Sequence, residues 1–217
     1  MKEEEYVIVG FGDSITLGAK ATEEQYTWLG IVETQLKHFL KRPVKVFNRG
    51  VGDNTISRRT TNYAESTKPS ALERVEKDVI DLKPHLVFCC FGLNDMRFGT
   101  PVTIFREDLE EVLTKIKSKL PKTEIILTNV FHMTGWNRYE PRDKGSLDHT
   151  KKYNEAIKSL AEEQRLPLSN VSEAMHYNDF LIHEDGVHGN NLGHRIIGNR
   201  VFETVVNNSD IFKNQMD

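Results

Sequence analysis

Short apolar runs alternate along this chain with segments whose apolar residues recur at helical spacing. Apolar runs of four to eight residues bounded by turn-forming residues read as buried strands. On that basis strands are predicted at residues 6–10, 44–48, 85–91 and 124–130, with a weaker one at 166–170. Between them, Leu109, Val112, Leu113, Ile116 and Leu120 fall at i, i+3, i+4, i+7 and i+11, an apolar stripe with Lys and Glu elsewhere. Trp28, Ile31, Val32, Leu36, Phe39 and Leu40 make a similar stripe ahead of the second strand, and Leu72, Val75, Val79 and Leu82 one ahead of the third. Helices over about residues 150–164 and 191–207 complete the series. The alternation is that of βαβ units, so the expected class is α/β with a parallel sheet. There is no internal repeat or low-complexity segment, and the seven prolines are scattered, so residues 1–217 are expected to form one domain. The least regular part is residues 131–148, which carries Met133, Trp136, Tyr139 and two arginines; long connections of this kind are often functional.

Composition narrows the class of partner. At 217 residues and 38% hydrophobic content the chain can bury one sizeable core. Lys and Arg total 29 against 32 Asp and Glu, a formal net charge of -3, which argues against nucleic-acid or anionic-membrane binding. No apolar stretch approaches the length needed to span a bilayer. Met1-Lys2-Glu3-Glu4-Glu5 leads straight into a strand-like run without the apolar region of a secretory signal, which predicts a cytoplasmic location. Cys89 and Cys90 are adjacent within a strand-like run, so their side chains point to opposite faces; neither is assigned chemistry.

Candidate chemistry begins at Gly12-Asp13-Ser14-Ile15-Thr16-Leu17-Gly18, which places a serine where the first strand breaks into a turn. Such a serine is either a helix N-cap or a nucleophile. Three further motifs favour the nucleophile: Gly52 in Asn48-Arg49-Gly50-Val51-Gly52-Asp53-Asn54, Asn94 in Gly92-Leu93-Asn94-Asp95, and Asp185-Gly186-Val187-His188. Acyl transfer needs an activated nucleophile, a base oriented by an anion, and fixed donors for an oxyanion. Ser14 would attack, His188 would carry the proton, and Asp185, three residues earlier, would hold the imidazole. The Ser14 and Gly52 amides and the Asn94 side chain would receive the oxyanion. Ser14, Gly52 and Asn94 each follow a predicted strand, and parallel strands end on one edge. In a sheet ordered 2-1-3-4-5 the ligand crevice lies between the first and third strands.

Competing readings fail at named positions. A dinucleotide fingerprint starting at Gly10 would need glycine where Ile15 stands, and neither a phosphate-binding loop nor a Gly-x-Ser-x-Gly elbow is present. His183, Asp185, His188 and His194 lack the His-x-x-x-His register of zinc sites, so no metal is expected, and His183 and His194 read as capping or surface residues.

The four blocks, Gly12-Asp13-Ser14-Ile15, Gly52, Gly92-Leu93-Asn94-Asp95 and Asp185-Gly186-Val187-His188, resemble those of the GDSL or SGNH hydrolase family, with Ile15 in place of the leucine of the family name. The resemblance runs from residue 12 to residue 188. It implies a flavodoxin-like three-layer αβα sandwich and hydrolysis of carboxylic esters or thioesters without a metal or organic cofactor. Asp13, Asp53, Asn54, Thr55, Met96, Arg97, Phe98, Phe131, Met133, Trp136 and Tyr139 are expected to border the crevice. A mixed polar and aromatic rim suits a short acyl group, acetyl to butyryl, on a small-molecule or carbohydrate ester. Homo-oligomer formation is left open. The alternatives are an acyltransferase, lysophospholipase or thioesterase using the same residues, or a binding module without activity.

Overall fold

The computed structural model describes residues 5–40 and 42–213; the N-terminal residues used to predict location lie largely outside that range. Five parallel strands, β1 (Tyr6–Gly12), β2 (Val44–Gly50), β3 (Leu86–Cys90), β4 (Glu124–Thr128) and β5 (Leu168–Ser169), form one sheet in the order β2-β1-β3-β4-β5. Strand alternation splits the core in two. Val9, Phe11, Val87, Cys89, Ile125 and Leu127 face one layer of helices, and Ile8, Leu86, Phe88, Cys90 and Ile126 the other. Adjacent Cys89 and Cys90 thus sit in different cores, both buried, and burial pushes both thiols up, that of Cys90 to about 12.

The first layer contains α3 (Ala71–Asp78), α5 (Val102–Lys119) and α6 (Leu147–Gln164); the second contains α2 (Trp28–Phe39) and α8 (Asn191–Asn208). This is the expected three-layer α/β architecture. A side chain at Gly198 of α8 would meet Ile31 and the Trp28 carbonyl within 2.9–3.0 Å, so glycine lets α8 and α2 approach closely. No helix among the described residues is long and apolar enough to cross a membrane.

Two boundaries differ from expectation for local reasons. The stripe ahead of β3 is not one helix: α3 stops where Val79 takes φ -127° and ψ -59°, and a separate 3-10 turn follows at Ile80–Leu82. β5 keeps only two residues. It follows Pro167, which has no N–H to give, and ends as Asn170 turns to cap the short helix α7 (Val171–Met175). The order 2-1-3-4-5 puts the switch point between β1 and β3, above which the candidate residues meet.

Candidate active site

β1 ends in a short helix, α1 (Ser14–Leu17). Its cap is Asp13, not Ser14: the Asp13 carboxylate accepts from the Ile15 amide at 2.9 Å, leaving the serine hydroxyl free. Asp13 is 2% exposed, and burial pushes its carboxyl up to about 7. Two glycines bring α1 against the sheet. A Cβ on Gly12 would lie 2.1 Å from Thr16 Oγ1, and one on Gly50 2.0 Å from the Leu17 nitrogen.

The Ser14 hydroxyl meets His188 Nε2 at 2.8 Å, and His188 Nδ1 meets Asp185 Oδ2 at 2.7 Å. Asp185 Oδ1 accepts from the amides of Val187 and His188 at 2.9 and 3.1 Å, so the four-residue loop folds back on its own carboxylate. Burial raises the Asp185 pKa, but the His188 ring and these two amides outweigh it and bring the group down to about 2. Desolvation lowers the His188 pKa; the Asp185 hydrogen bond and charge oppose it, and Arg97 and Lys20 push it further down. A neutral His188 donating Nδ1–H to Asp185 leaves Nε2 as an acceptor for the serine proton.

Three N–H groups, on Ser14, Gly52 and Asn94, follow the ends of β1, β2 and β3. The Ser14 and Gly52 amides find no acceptor among the described residues. Asn94, 1% exposed on α4 (Leu93–Arg97), gives one Nδ2 hydrogen to the Asn54 carbonyl at 3.1 Å and accepts from Arg97 Nη1 at 3.4 Å, which orients its second N–H. A Cβ at Gly52 would meet nothing within 4 Å, so glycine there leaves open space beside the amide.

Arg74 ties these pieces together. Its guanidinium donates to the carbonyls of Gly12 (2.7 Å) and Arg49 (2.9 Å), to Asn54 Oδ1 (2.9 Å) and to Asp78 Oδ2 (2.9 Å), and stacks on Phe11. The sequence reading missed it. The available signal was its place three residues after Ala71 and one before Val75, inside the buried face of α3.

The connection over residues 131–148 supports the Asp185–His188 loop. Thr134 and Gly135 donate to the Gly186 carbonyl at 2.9 and 2.8 Å, and the Tyr139 hydroxyl to the Asp185 carbonyl at 3.2 Å. Gly186 has φ +74°, and a Cβ on it would lie 2.6 Å from the Gly135 backbone, so the two glycines let these loops touch.

Several residues expected on the rim are interior. Asp13 caps α1, Asn54 bonds Arg74 and the carbonyls of Thr67 and Pro69, and Thr55, Met96, Phe98, Phe131 and Met133 are each no more than 4% exposed within the packed layers. Trp136 is half-buried against the core. Asp53, Tyr139 and Arg97 do line a pocket of about 320 Å³ that opens on His188, joined by Lys20, Arg142 and Val187. Arg142 is one of the two arginines of the long connection; Lys20 carried no signal. His194 is not superficial: it is fully buried, its Nδ1 accepts from the Trp28 amide at the start of α2 at 3.4 Å, and its Nε2 lies 3.1 Å from the Ala19 carbonyl. His183 Nδ1 accepts from the Asp185 amide at 3.2 Å and lies 3.7 Å from Asp185 Oδ2.

A model of the GDSL-like lipase/acylhydrolase family matches residues 11–196, most of the chain and all four blocks. The chain belongs to this family. It is accordingly a carboxylic ester hydrolase of the GDSL type. Solved structures share the fold. A lipase/acylhydrolase from Enterococcus faecalis is 24% identical with a TM-score of 0.74, over 92% of this chain and 95% of that one. The acetylxylan esterase Axe2 from Geobacillus stearothermophilus is 21% identical with a TM-score of 0.70, over 94% and 96%. TesA is 16% identical with a TM-score of 0.72, over 94% and 99%. A comparison with curated proteins finds no match.

Proposed function

We propose that this GDSL hydrolase is a serine esterase that cleaves short-chain esters, acetyl to butyryl, through an acyl-enzyme. The hydrogen-bonded chain from Ser14 through His188 to Asp185 carries the reading. Ser14 Oγ attacks the carbonyl carbon while His188 Nε2 takes its proton. The carbonyl oxygen becomes an oxyanion received by the Ser14 and Gly52 amides and by Asn94. Collapse breaks the bond to the alcohol, to which His188 returns the proton, leaving the acyl group on Ser14. Water then attacks with His188 again as base, and the acid leaves as the Ser14 hydroxyl re-forms. Asp185 keeps the ring in the acceptor tautomer and stabilises the transient imidazolium.

The short acyl preference is supported by the space around the nucleophile. Beside Asp13 and Ile15, the neighbours of Ser14, the interior leaves only a narrow apolar void of about 30 Å³, walled by Trp28, Phe91, Leu93 and Phe131. Its narrowness favours a short acyl group over a long one. An acetylated carbohydrate such as the substrate class named for Axe2 fits this acyl size.

The test is peptide mass spectrometry after treatment with a small fluorophosphonate, which marks an activated serine. One adduct on Ser14, lost in His188→Ala, is the expected result, together with turnover of aryl esters that peaks between acetyl and butyryl. No adduct on folded protein would return the chain to the binding-module reading, and a maximum at ten carbons or more would remove the short-chain preference.

A further inference from the structure

The pocket beside His188 has an unusual charge balance. Lys20, Arg97 and Arg142 face it against Asp53 and Asp185, an excess of cations in a chain whose formal net charge is -3. The two carboxylates are already engaged: Asp185 by His188, and Asp53 by Arg142 Nε at 3.3 Å. Arg97 is left over. Its side chain is only 4% exposed, its Nε has no hydrogen-bond partner, and the bond of Nη1 to Asn94 Oδ1 is long at 3.4 Å. No carboxylate lies within ion-pair distance of it among the described residues; Asp53, Asp13 and Asp185 act on it only from farther away. A buried guanidinium with no carboxylate in contact is costly to keep, and its planar fork matches a carboxylate or phosphate oxygen pair.

Where the anion belongs on the substrate follows from the chemistry. His188 returns its proton to the leaving alcohol, so the alcohol oxygen lies against Nε2, and the pocket onto which His188 opens takes the rest of that alcohol. We propose that the enzyme selects esters whose alcohol part carries a carboxylate or phosphate, with Arg97 binding the anion and Arg142 beside it. This rests on the esterase reading above. Arg97 is then a specificity-determining residue. Its contact with Asn94 also links occupancy of the anion site to the orientation of an oxyanion donor.

The test compares kcat/KM for three matched acetates, meta-acetoxybenzamide, meta-acetoxybenzoate and meta-acetoxyphenyl phosphate, in the wild type, Arg97→Met and Arg142→Met. Because Arg97 touches Asn94, the readout is the ratio of anionic to neutral substrate, not the rate itself. The ratio should fall about 10- to 100-fold in Arg97→Met, the size of a charge-assisted hydrogen bond, and less in Arg142→Met. The anion with the larger wild-type ratio identifies the source, carboxylate or phosphate. Ratios that stay the same in both variants overturn the proposal. Should Arg97→Met fail to fold, Arg142→Met is read together with inhibition of wild-type acetoxybenzamide hydrolysis by benzoate and inorganic phosphate. Competitive inhibition weakened in Arg142→Met supports the anion site, and none by either anion overturns it. Absence of both cleavage and Ser14 labelling would remove the esterase reading and this inference together, whereas cleavage with unchanged ratios removes the inference alone.

Discussion

Arg74 and Arg97 are equally buried, at 4% exposure each, and stand on two sides of the same site, yet their surroundings differ. Arg74, under the ends of β1 and β2, has a carboxylate, a side-chain amide and two backbone carbonyls within 2.9 Å. Arg97, at the mouth, has one long contact and an unpartnered Nε. Glycines repeat the contrast. Gly12 and Gly50 have backbone or side-chain atoms where a Cβ would go, whereas Gly52 faces open space. The floor is closed, with the Arg74 guanidinium satisfied within the protein; the mouth keeps open space and, at Arg97, a donor with no protein partner. A buried cation therefore has to be judged by its partners, since burial alone does not separate a structural strut from a recognition group.

The largest expected effect is on the floor. Arg74→Met strands Asp78 and three other acceptors, so it should destabilise folding by about 3–5 kcal/mol and lower activity on neutral and anionic esters alike. Denaturant unfolding alongside kinetics on both ester types checks this; a folding change below about 1 kcal/mol would make the two arginines equivalent. At the mouth the prediction reverses. Arg97→Met removes a buried charge that has no ionic partner, so the unfolding free energy should stay within about 1 kcal/mol of the wild type or rise. A loss as large as that of Arg74→Met would mean that Arg97 is a strut as well.

The smallest effect sharpens the electrostatics. In the proposed mechanism His188 acts as a base only when neutral, so activity should fall as pH drops through its folded pKa. Burial and the nearby Arg97 and Lys20 hold that value below the ordinary histidine value of about 6.5. Because Arg97 lowers it, Arg97→Met should move the acid limb of kcat/KM to higher pH. A limb that stays in place would show that Arg97 does not face the imidazole field.

Much of this was legible in the chain. Buried parallel strands are continuous apolar runs, and the helices that cover them have one apolar stripe, so four strands and the main helices were readable to within a few residues. Ser14, Asp185 and His188 were legible because a turn after a strand and a three-residue Asp-to-His spacing are local features. The rim was not. Asn54, Met96 and Phe98 follow catalytic-block residues in sequence, but nearness along the chain does not say which way a side chain points, and all three turn inward. Lys20 and Arg142 reach the pocket from segments more than a hundred residues apart, a meeting no local pattern encodes.

The alternation of strands and helices, the parallel sheet and the four candidate blocks were already written in the chain, because periodicity and short motifs belong to neighbouring residues. That Asp13 caps the helix in place of Ser14, that Gly135 and Gly186 hold the long connection against the Asp185–His188 loop, and that Arg74 is satisfied while Arg97 is not came from the packing of distant segments. Hydrogen-bond partners and burial depend on segments brought together by the packing of distant elements, and that information exists only once the chain has closed on itself.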